Sequence, residues 1–221
     1  MQARSRRAWL AGATGLVGRA LLEQLVDNPQ YERLQVLARR AAPQLAAAGK
    51  LQLHVVDFDR LPALPPADDV FIALGTTIKV AGSEQAFRRV DFDAVVNTAR
   101  AGRSAGAKRL AVVSALGADA TSAVFYNGVK GEMEEAVAQL GYETVVIAQP
   151  SLLVGDRAAL GQPLRFGEAW ALKLLRPVMG FVPRGVRPIA AEDVARAMLR
   201  VMSEAPKGVH VLRSGQMQPA R

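Results

Sequence analysis

The amino-acid sequence predicts an α/β fold: a doubly wound parallel sheet with helices on both faces and a small C-terminal lobe. Short apolar runs alternate with amphipathic helical patterns along most of the 221 residues, the pattern of a parallel sheet covered on both sides. A glycine-rich turn separates the first apolar run from the first helical pattern. No repeat or long linker divides the chain, so residues 1–221 are expected to form one domain with a substantial core, with about 151–190 as a small covering region.

Each element has its own signal. Ala8 to Ala11 reads as a short buried first strand, and Leu16 to Val26 as a helix with Leu21, Leu22 and Leu25 inward, ended by Asn28-Pro29. Leu34 to Ala38 and Leu51 to Val56 are the second and third strands, joined through a small Ala-rich helix after Pro43. Pro62, Pro65 and Pro66 exclude regular structure before the fourth strand, Val70 to Leu74. A long helix from about Glu84 to Arg103 leads to strand five, Leu110 to Val113. A helix from about Phe125 to Leu140 leads to strand six, Thr144 to Ala148. A helix at Phe166 to Leu175, another at Ala191 to Met202 and a strand at Val209 to Leu212 complete the order.

Composition removes several function classes. With no cysteine there are no disulfides, thiolate nucleophiles or cysteine-ligated metals, and a reducing cytoplasm is expected. His54 and His210 are too far apart in sequence to suggest a zinc site, so no metal is expected. The net charge of +8 is mostly arginine, with Arg4, Arg6 and Arg7 a solvated cluster before the first strand. Such a charge favours anionic ligands in general; no nucleic-acid recognition motif accompanies it. The apolar stretch Leu164 to Val182 is broken by Arg165, Glu168, Lys173, Arg176 and Pro177, too often for a membrane span. The N-terminal apolar run ends at once in the glycine turn, unlike a signal peptide, and a cytoplasmic location is expected.

That turn is Gly12-Ala13-Thr14-Gly15-Leu16-Val17-Gly18. A helix N-terminus offers unpaired N–H groups and partial positive charge to a pyrophosphate, and glycines permit the approach. Directly after a buried strand and before an amphipathic helix, the pattern reads as a dinucleotide-binding turn of a Rossmann-type sheet. The second strand ends in Ala38-Arg39-Arg40 instead of the acidic residue that would accept from a ribose 2′-hydroxyl. Arg39 and Arg40 suit a 2′-phosphate, so NADP(H) is preferred over NAD(H), unless either guanidinium simply faces solvent. Asp57 and Phe58 after strand three, near the adenine, and Leu74, Gly75 and Thr76 after strand four, near a ribose, complete the expected cofactor seat. Each is equally ordinary strand-to-loop punctuation.

Tyr126 and Lys130 stand four residues apart at the start of the helix after strand five, on one helix face. Ser114 lies just beyond strand five, at the edge where ligands of such sheets bind. A phenol ionises near pH 10, and a neighbouring ammonium eases its ionisation. Tyr126 would then exchange a proton with a carbonyl or alcohol oxygen, Lys130 would bind the nicotinamide ribose, and Ser114 would hold the substrate oxygen. The plainer reading is a surface Tyr and Lys with a capping Ser.

Together these residues resemble the short-chain dehydrogenase/reductase superfamily of the extended-to-atypical kind. Leu74-Gly75-Thr76-Thr77, Arg89-Val90-Asp91, Val113 to Asp119 and Pro150-Ser151-Leu152-Leu153-x-Gly155 are similar to its HTATIP2-like (TIP30) oxidoreductase branch. The resemblance implies NADP(H) binding, with Pro150 beside the cofactor, and a Ser-Tyr-Lys active site. Asn97 is a candidate structural or relay asparagine. The expected protein is an NADP(H)-dependent oxidoreductase of a small carbonyl or alcohol; the alternative is an NADP(H)-binding redox-sensing regulator. Phe166, Trp170, Leu174 and Leu175 are expected to line the substrate lobe or a subunit contact, with a membrane surface as the weaker reading. A homo-oligomer is permitted.

Overall fold

The computed structural model describes residues 5–42, 49–154 and 183–219. In chain order the elements are β1 (Arg6–Ala11), α1 (Leu16–Asp27), β2 (Tyr31–Ala38), β3 (Leu51–Val55), β4 (Asp69–Ile72), α2 (Ile78–Ala81) and α3 (Glu84–Arg88). A π-helical turn (Arg89–Asp93) runs into α4 (Ala94–Ser104), followed by β5 (Arg109–Val113), α5 (Phe125–Ala138) and β6 (Thr144–Gln149). Then come β7 (Leu153–Val154), β8 (Ile189–Ala190), α6 (Ala191–Glu204), β9 (Gly208–Arg213) and α7 (Ser214–Met217).

Seven strands pair in the order β3-β2-β1-β4-β5-β6-β9, all parallel, and β7 pairs with β8 in a separate small ladder. The expected doubly wound sheet is therefore present. Successive strand residues point to opposite faces, and in the central strands both faces are apolar. Ala8 and Leu10 of β1, Ala111 of β5 and Val146 and Ala148 of β6 pack with Leu21 and Leu25 of α1 and Val194 and Met198 of α6. On the other face Trp9, Leu110, Val112, Val145 and Ile147 pack with Val95 and Ala99 of α4 and Met133 and Val137 of α5. A parallel sheet needs this double cover because its crossover helices lie on both sides.

The carboxyl ends of all seven strands share one edge. The chain moves outward from β1 in both directions, so paired β1 and β4 form the switch point, the place where ligands of such sheets bind. The opposite edge is tied by charge. Asp69, fully buried at the start of β4, accepts from Tyr31 Oη at 2.6 Å and Arg109 Nε at 2.7 Å, with Arg6 NH1 3.6 Å away. Arg7 lies over Asp68, with its own N–H donating at 2.8 Å and Nε at 3.1 Å. These partners explain why β1 begins at Arg6, two residues earlier than an apolar run announces.

Two further departures matter. The long helix expected from Glu84 is interrupted by the π turn, which inserts an extra residue and re-aims the side chains it carries. The short β7–β8 ladder joins positions far apart in sequence, with the Ile189 N–H donating to Leu152 O at 2.9 Å. The Ala-rich helix after Pro43 and the helix at Phe166 to Leu175 lie outside the described residues, as does most of the proposed covering region. No helix among the described residues is long and apolar enough to cross a membrane.

Helix α5 reaches its place only because residue 131 lacks a side chain. A Cβ there would lie 2.0 Å from Ala120 N and 2.2 Å from Asp119 C, both backbone atoms of the loop after β5. Gly131→Ala is expected to cost about 1–3 kcal/mol in urea denaturation, the range for forced overpacking. Gly49→Ala, whose Cβ would meet nothing within 4 Å, is expected to be close to neutral.

Candidate functional site

The glycine turn is built by close backbone approach. Gly12 has φ +91°, and a Cβ on it would lie 2.4 Å from Ala73 O, just past β4. A Cβ on Gly18 would lie 1.9 Å from Gly12 O. The Gly15 N–H donates to Gly12 O at 3.0 Å, closing the turn. Helix α1 starts at Gly15 with no side-chain cap and no acidic residue in its first turn. Its positive end is thus neither filled nor neutralised by its own sequence, which suits a bound anion. Val17 is buried in the core and Leu16 packs partly against it, so only their backbone is available to a ligand. Thr14 is exposed at the tip.

At the ends of β2 and β3, Arg39, Arg40 and Asp57 are all exposed, on neighbouring strands. The Asp57 carboxylate accepts from the Asp59 N–H at 3.0 Å, and its carbonyl from the Arg60 N–H at 3.1 Å, so it also shapes a turn. The Phe58 ring is buried, and its carbonyl accepts from Asn97 Nδ2 at 3.1 Å. Asn97 is therefore occupied in holding α4 to this loop, away from a relay role.

Beyond β4, a Cβ on Gly75 would lie 3.3 Å from Asp91 Oδ1 and 3.9 Å from Lys130 Nζ. Gly12 pressed on Ala73 and Gly75 close to Lys130 thus put the glycine turn and the Lys130 ammonium on either side of the short stretch after β4. Lys130 is buried and forms an ion pair with Asp91 Oδ1 at 2.7 Å; its side chain is 4% exposed and that of Asp91 1%. The other Asp91 oxygen accepts from the Thr76 N–H at 2.8 Å. Burial pushes the Asp91 carboxyl above the usual carboxylate range, and Lys130 and the Thr76 N–H oppose that push.

Tyr126 sits in the first turn of α5, half-buried, its ring 5.3 Å from the ring of fully buried Phe87. Ser114 directly follows β5, and its N–H donates to Ala148 O at 2.7 Å. Its hydroxyl is buried without a hydrogen bond of standard geometry among the described residues. Pro150 is buried, and its carbonyl receives the Leu116 N–H at 2.9 Å, tying the loop after Ser114 to the end of β6. Ser114, Tyr126 and Lys130 thus share the edge that carries the glycine turn.

Two acidic residues join this edge without having been assigned a role. Asp91 was visible only as part of a family-like run. Its signal was its place on an apolar helix stripe with Phe87 and Val95, at spacings of four. Glu134 follows Lys130 by four residues and receives Gln149 Nε2 at 3.0 Å on each carboxylate oxygen. Burial raises its carboxyl, and the Ser114 hydroxyl, Gln149 and Lys130 lower it, in that order. Both Ser114 and Lys130 therefore lie within the electrostatic reach of one carboxyl.

Known proteins resemble this chain in sequence and in fold. The sequence pattern of a family described as NAD(P)H-binding matches residues 12–152. The Aspergillus fumigatus protein fmp52, mitochondrial, is 36% identical over 210 residues, covering 90% of this chain and 88% of its own. Protein FMP52, mitochondrial, of Candida albicans is 29% identical, covering 91% of this chain and 89% of its own. Among solved structures, MoeE5 in complex with UDP-glucose and NAD has a TM-score of 0.69 at 19% identity, covering 93% of this chain and 75% of its own. An ADP-L-glycero-D-manno-heptose-6-epimerase of Helicobacter pylori has a TM-score of 0.70 at 17% identity, covering 96% and 78%. These two likenesses show the fold.

Two expectations change. The sequence relatives are of the Fmp52 type, so the narrower TIP30-like branch gives way to the NAD(P)H-binding family at large. Their names place them in mitochondria, which overturns the cytoplasmic expectation. That expectation rested on missing cysteines and missing apolar segments, and neither distinguishes the cytosol from another reducing compartment. With a match running from Gly12, the first glycine of the turn, to Leu152, past the last strand end of the candidate site, the chain belongs to the NAD(P)H-binding family.

Proposed function

We propose that the protein is an NADP(H)-dependent oxidoreductase that interconverts a small carbonyl compound and its alcohol. The observation that carries this reading is the Lys130 ammonium, buried beside exposed Gly75 and one helical turn from Tyr126, at the strand edge that carries the glycine turn. The dinucleotide, when bound, supplies or takes up the hydride. The α1 N-terminus with the backbone of Gly12, Thr14, Gly15, Leu16, Val17 and Gly18 holds the pyrophosphate. Arg39 and Arg40 hold the 2′-phosphate, with Asp57 and Phe58 at the adenine side and Leu74, Gly75, Thr76 and Pro150 lining the path inward.

Tyr126 gives its phenolic proton to the carbonyl oxygen during reduction and takes it back during oxidation. Lys130 stabilises the phenolate left behind and donates to the nicotinamide ribose. Ser114, whose buried hydroxyl has no standard partner among the described residues, holds the substrate oxygen. Asp91 keeps the Lys130 ammonium from being a lone charge in the protein interior.

Tyr126→Phe is expected to lower NADPH-dependent reduction by about 100-fold or more, with NADPH affinity unchanged, in steady-state assays on small aldehydes and ketones. Unchanged turnover in that variant rejects the mechanism. Tight NADPH binding by the natural chain without turnover of any carbonyl would favour the regulator instead. Arg39→Ala and Arg40→Ala are each expected to weaken NADPH about tenfold or more, leaving NADH binding unaltered, in titration calorimetry. Natural-chain affinity greater for NADH than for NADPH would reject the NADP(H) preference.

The Asp91–Lys130 pair makes its own prediction. Asp91→Ala strands a buried ammonium and is expected to cost about 3–5 kcal/mol in urea denaturation. Adding Lys130→Met removes the stranded charge and should restore much of that loss, while abolishing turnover.

A further inference from the structure

The amino edge of the sheet lies the length of β1, roughly 20 Å, from the glycine turn, and a cavity of about 730 Å³ opens there. It is shaped by the chain entering β1, β4, β5 and β6 and by the turns after α1 and α6. Its charges do not balance. Glu143 is shared by two ammonium groups, Lys207 Nζ at 3.0 Å and Lys108 Nζ at 3.2 Å, which hold its carboxyl below the usual carboxylate range. Fully buried Asp69 is likewise shared by two guanidiniums, Arg109 at 2.7 Å and Arg6 at 3.6 Å. Asp68, the other carboxylate of the lining, has Arg7 against it at 3.1 Å. The four lining cations thus exceed by two what Glu143 and Asp69 neutralise.

The hydrogen bonds lean the same way. Carbonyls near the helix ends, which would repel an anion, are already engaged: Met202 O by Arg109 at 3.3 Å, Pro206 O by His210 Nε2 at 2.8 Å and Asn28 O by Lys50 at 2.8 Å. The Gln30 carbonyl receives the Arg6 N–H at 2.8 Å. Donors remain. Arg6 NH1 is buried with no hydrogen bond among the described residues, and each lysine meets one oxygen of Glu143 with three N–H groups to give. Arg6 opens β1, Lys108 precedes β5 and Lys207 precedes β9, so an acceptor among them needs oxygens that point in several directions. A phosphate group has three such oxygens and a charge of about −1.5 to −2 at neutral pH, and the planar fork of an arginine matches it. We propose that this cavity is a second anion site, which takes a phosphate dianion, free or carried on a small organic molecule. Its volume is in the range of small-molecule sites, and Pro29 and Pro206 offer apolar flanks to an organic body. The site is independent of the oxidoreductase reading and of the dinucleotide seat at the other edge.

The site is read by amide NMR on the 15N-labelled full chain at about pH 7.5, where phosphate is mostly a dianion. Glucose 6-phosphate and inorganic phosphate are the probes, with glucose and malonate as controls. Saturable shifts of the Gln30, Lys108, Lys207 and Gly208 amides are expected, with Kd about 1 mM or tighter. Glucose should give none, and malonate, a dianion without a phosphoryl group, should bind several-fold more weakly. Tighter binding of glucose 6-phosphate assigns the site to a phosphate monoester, and tighter binding of inorganic phosphate assigns it to the free ion; either upholds it. Arg6→Gln leaves Asp69 its bonds from Arg109 and Tyr31 and should weaken Kd about tenfold. Joint replacement Lys108→Gln and Lys207→Gln, at two exposed positions that spare the fold, should weaken it about fivefold. Arg39→Ala, at the other edge, should change nothing. Shifts confined to Gly12–Gly18 or to Arg39 and Arg40 overturn the proposal, because the phosphate then seeks only the dinucleotide seat. Malonate binding as tight as phosphate, or an unchanged Kd in the double lysine variant, overturns it equally.

Discussion

The buried ion pair between Lys130 and Asp91 sets the terms for everything around it. An ammonium with 4% of its side chain exposed is sustained in the interior only by a counter-charge with good contact. That counter-charge comes from a helix on the neighbouring crossover, and an uninterrupted α-helix would have carried position 91 in a different direction. The π turn at Arg89–Asp93 is the local irregularity that reconciles the helix path with the carboxylate's aim. Thr76 then uses its backbone N–H on the second carboxylate oxygen, so the loop after β4 is anchored to the same pair. One electrostatic demand thereby connects β4, the helix leading to α4, and α5.

The two edges of the sheet divide their labour. At the amino edge, Tyr31, Arg109 and Arg6 surround Asp69 and tie β1, β2, β4 and β5. Those polar groups are engaged with one another, and burial with the negative charge of Asp69 pushes the Tyr31 phenol upward. At the carboxyl edge, the α1 terminus is uncapped and the Ser114 hydroxyl is buried without a hydrogen-bond partner among the described residues.

Much of this was legible in the sequence because it follows from simple periodicities. The central strands are continuous apolar runs, since both sheet faces are covered, and α1, α5 and α6 show their stripes. The glycine turn was readable because its neighbours on either side are a strand and a helix. The β1 start was misread because Arg6 and Arg7 belong to the strand through charged partners some sixty residues away. Asp91 and Glu134 were passed over for a similar reason. Each is a charged residue on a helical face otherwise apolar or chemical, and its partner comes from another element: Lys130 for Asp91, Gln149 for Glu134. The β7–β8 ladder is too short to leave any periodicity.

The interlocking of Gly18 on Gly12 and Gly12 on Ala73 carries a final consequence. The shape of the proposed nucleotide seat is imposed by backbone pressing on backbone, so it is established as the chain folds. Little conformational entropy remains to be lost at that spot when a pyrophosphate arrives, and preorganisation of this sort strengthens binding without adding a contact. It also makes the seat intolerant of compromise. A methyl group at position 12 or 18 would force β1, α1 and the end of β4 apart together, so the hold on the dinucleotide and the integrity of the sheet would fail as one event.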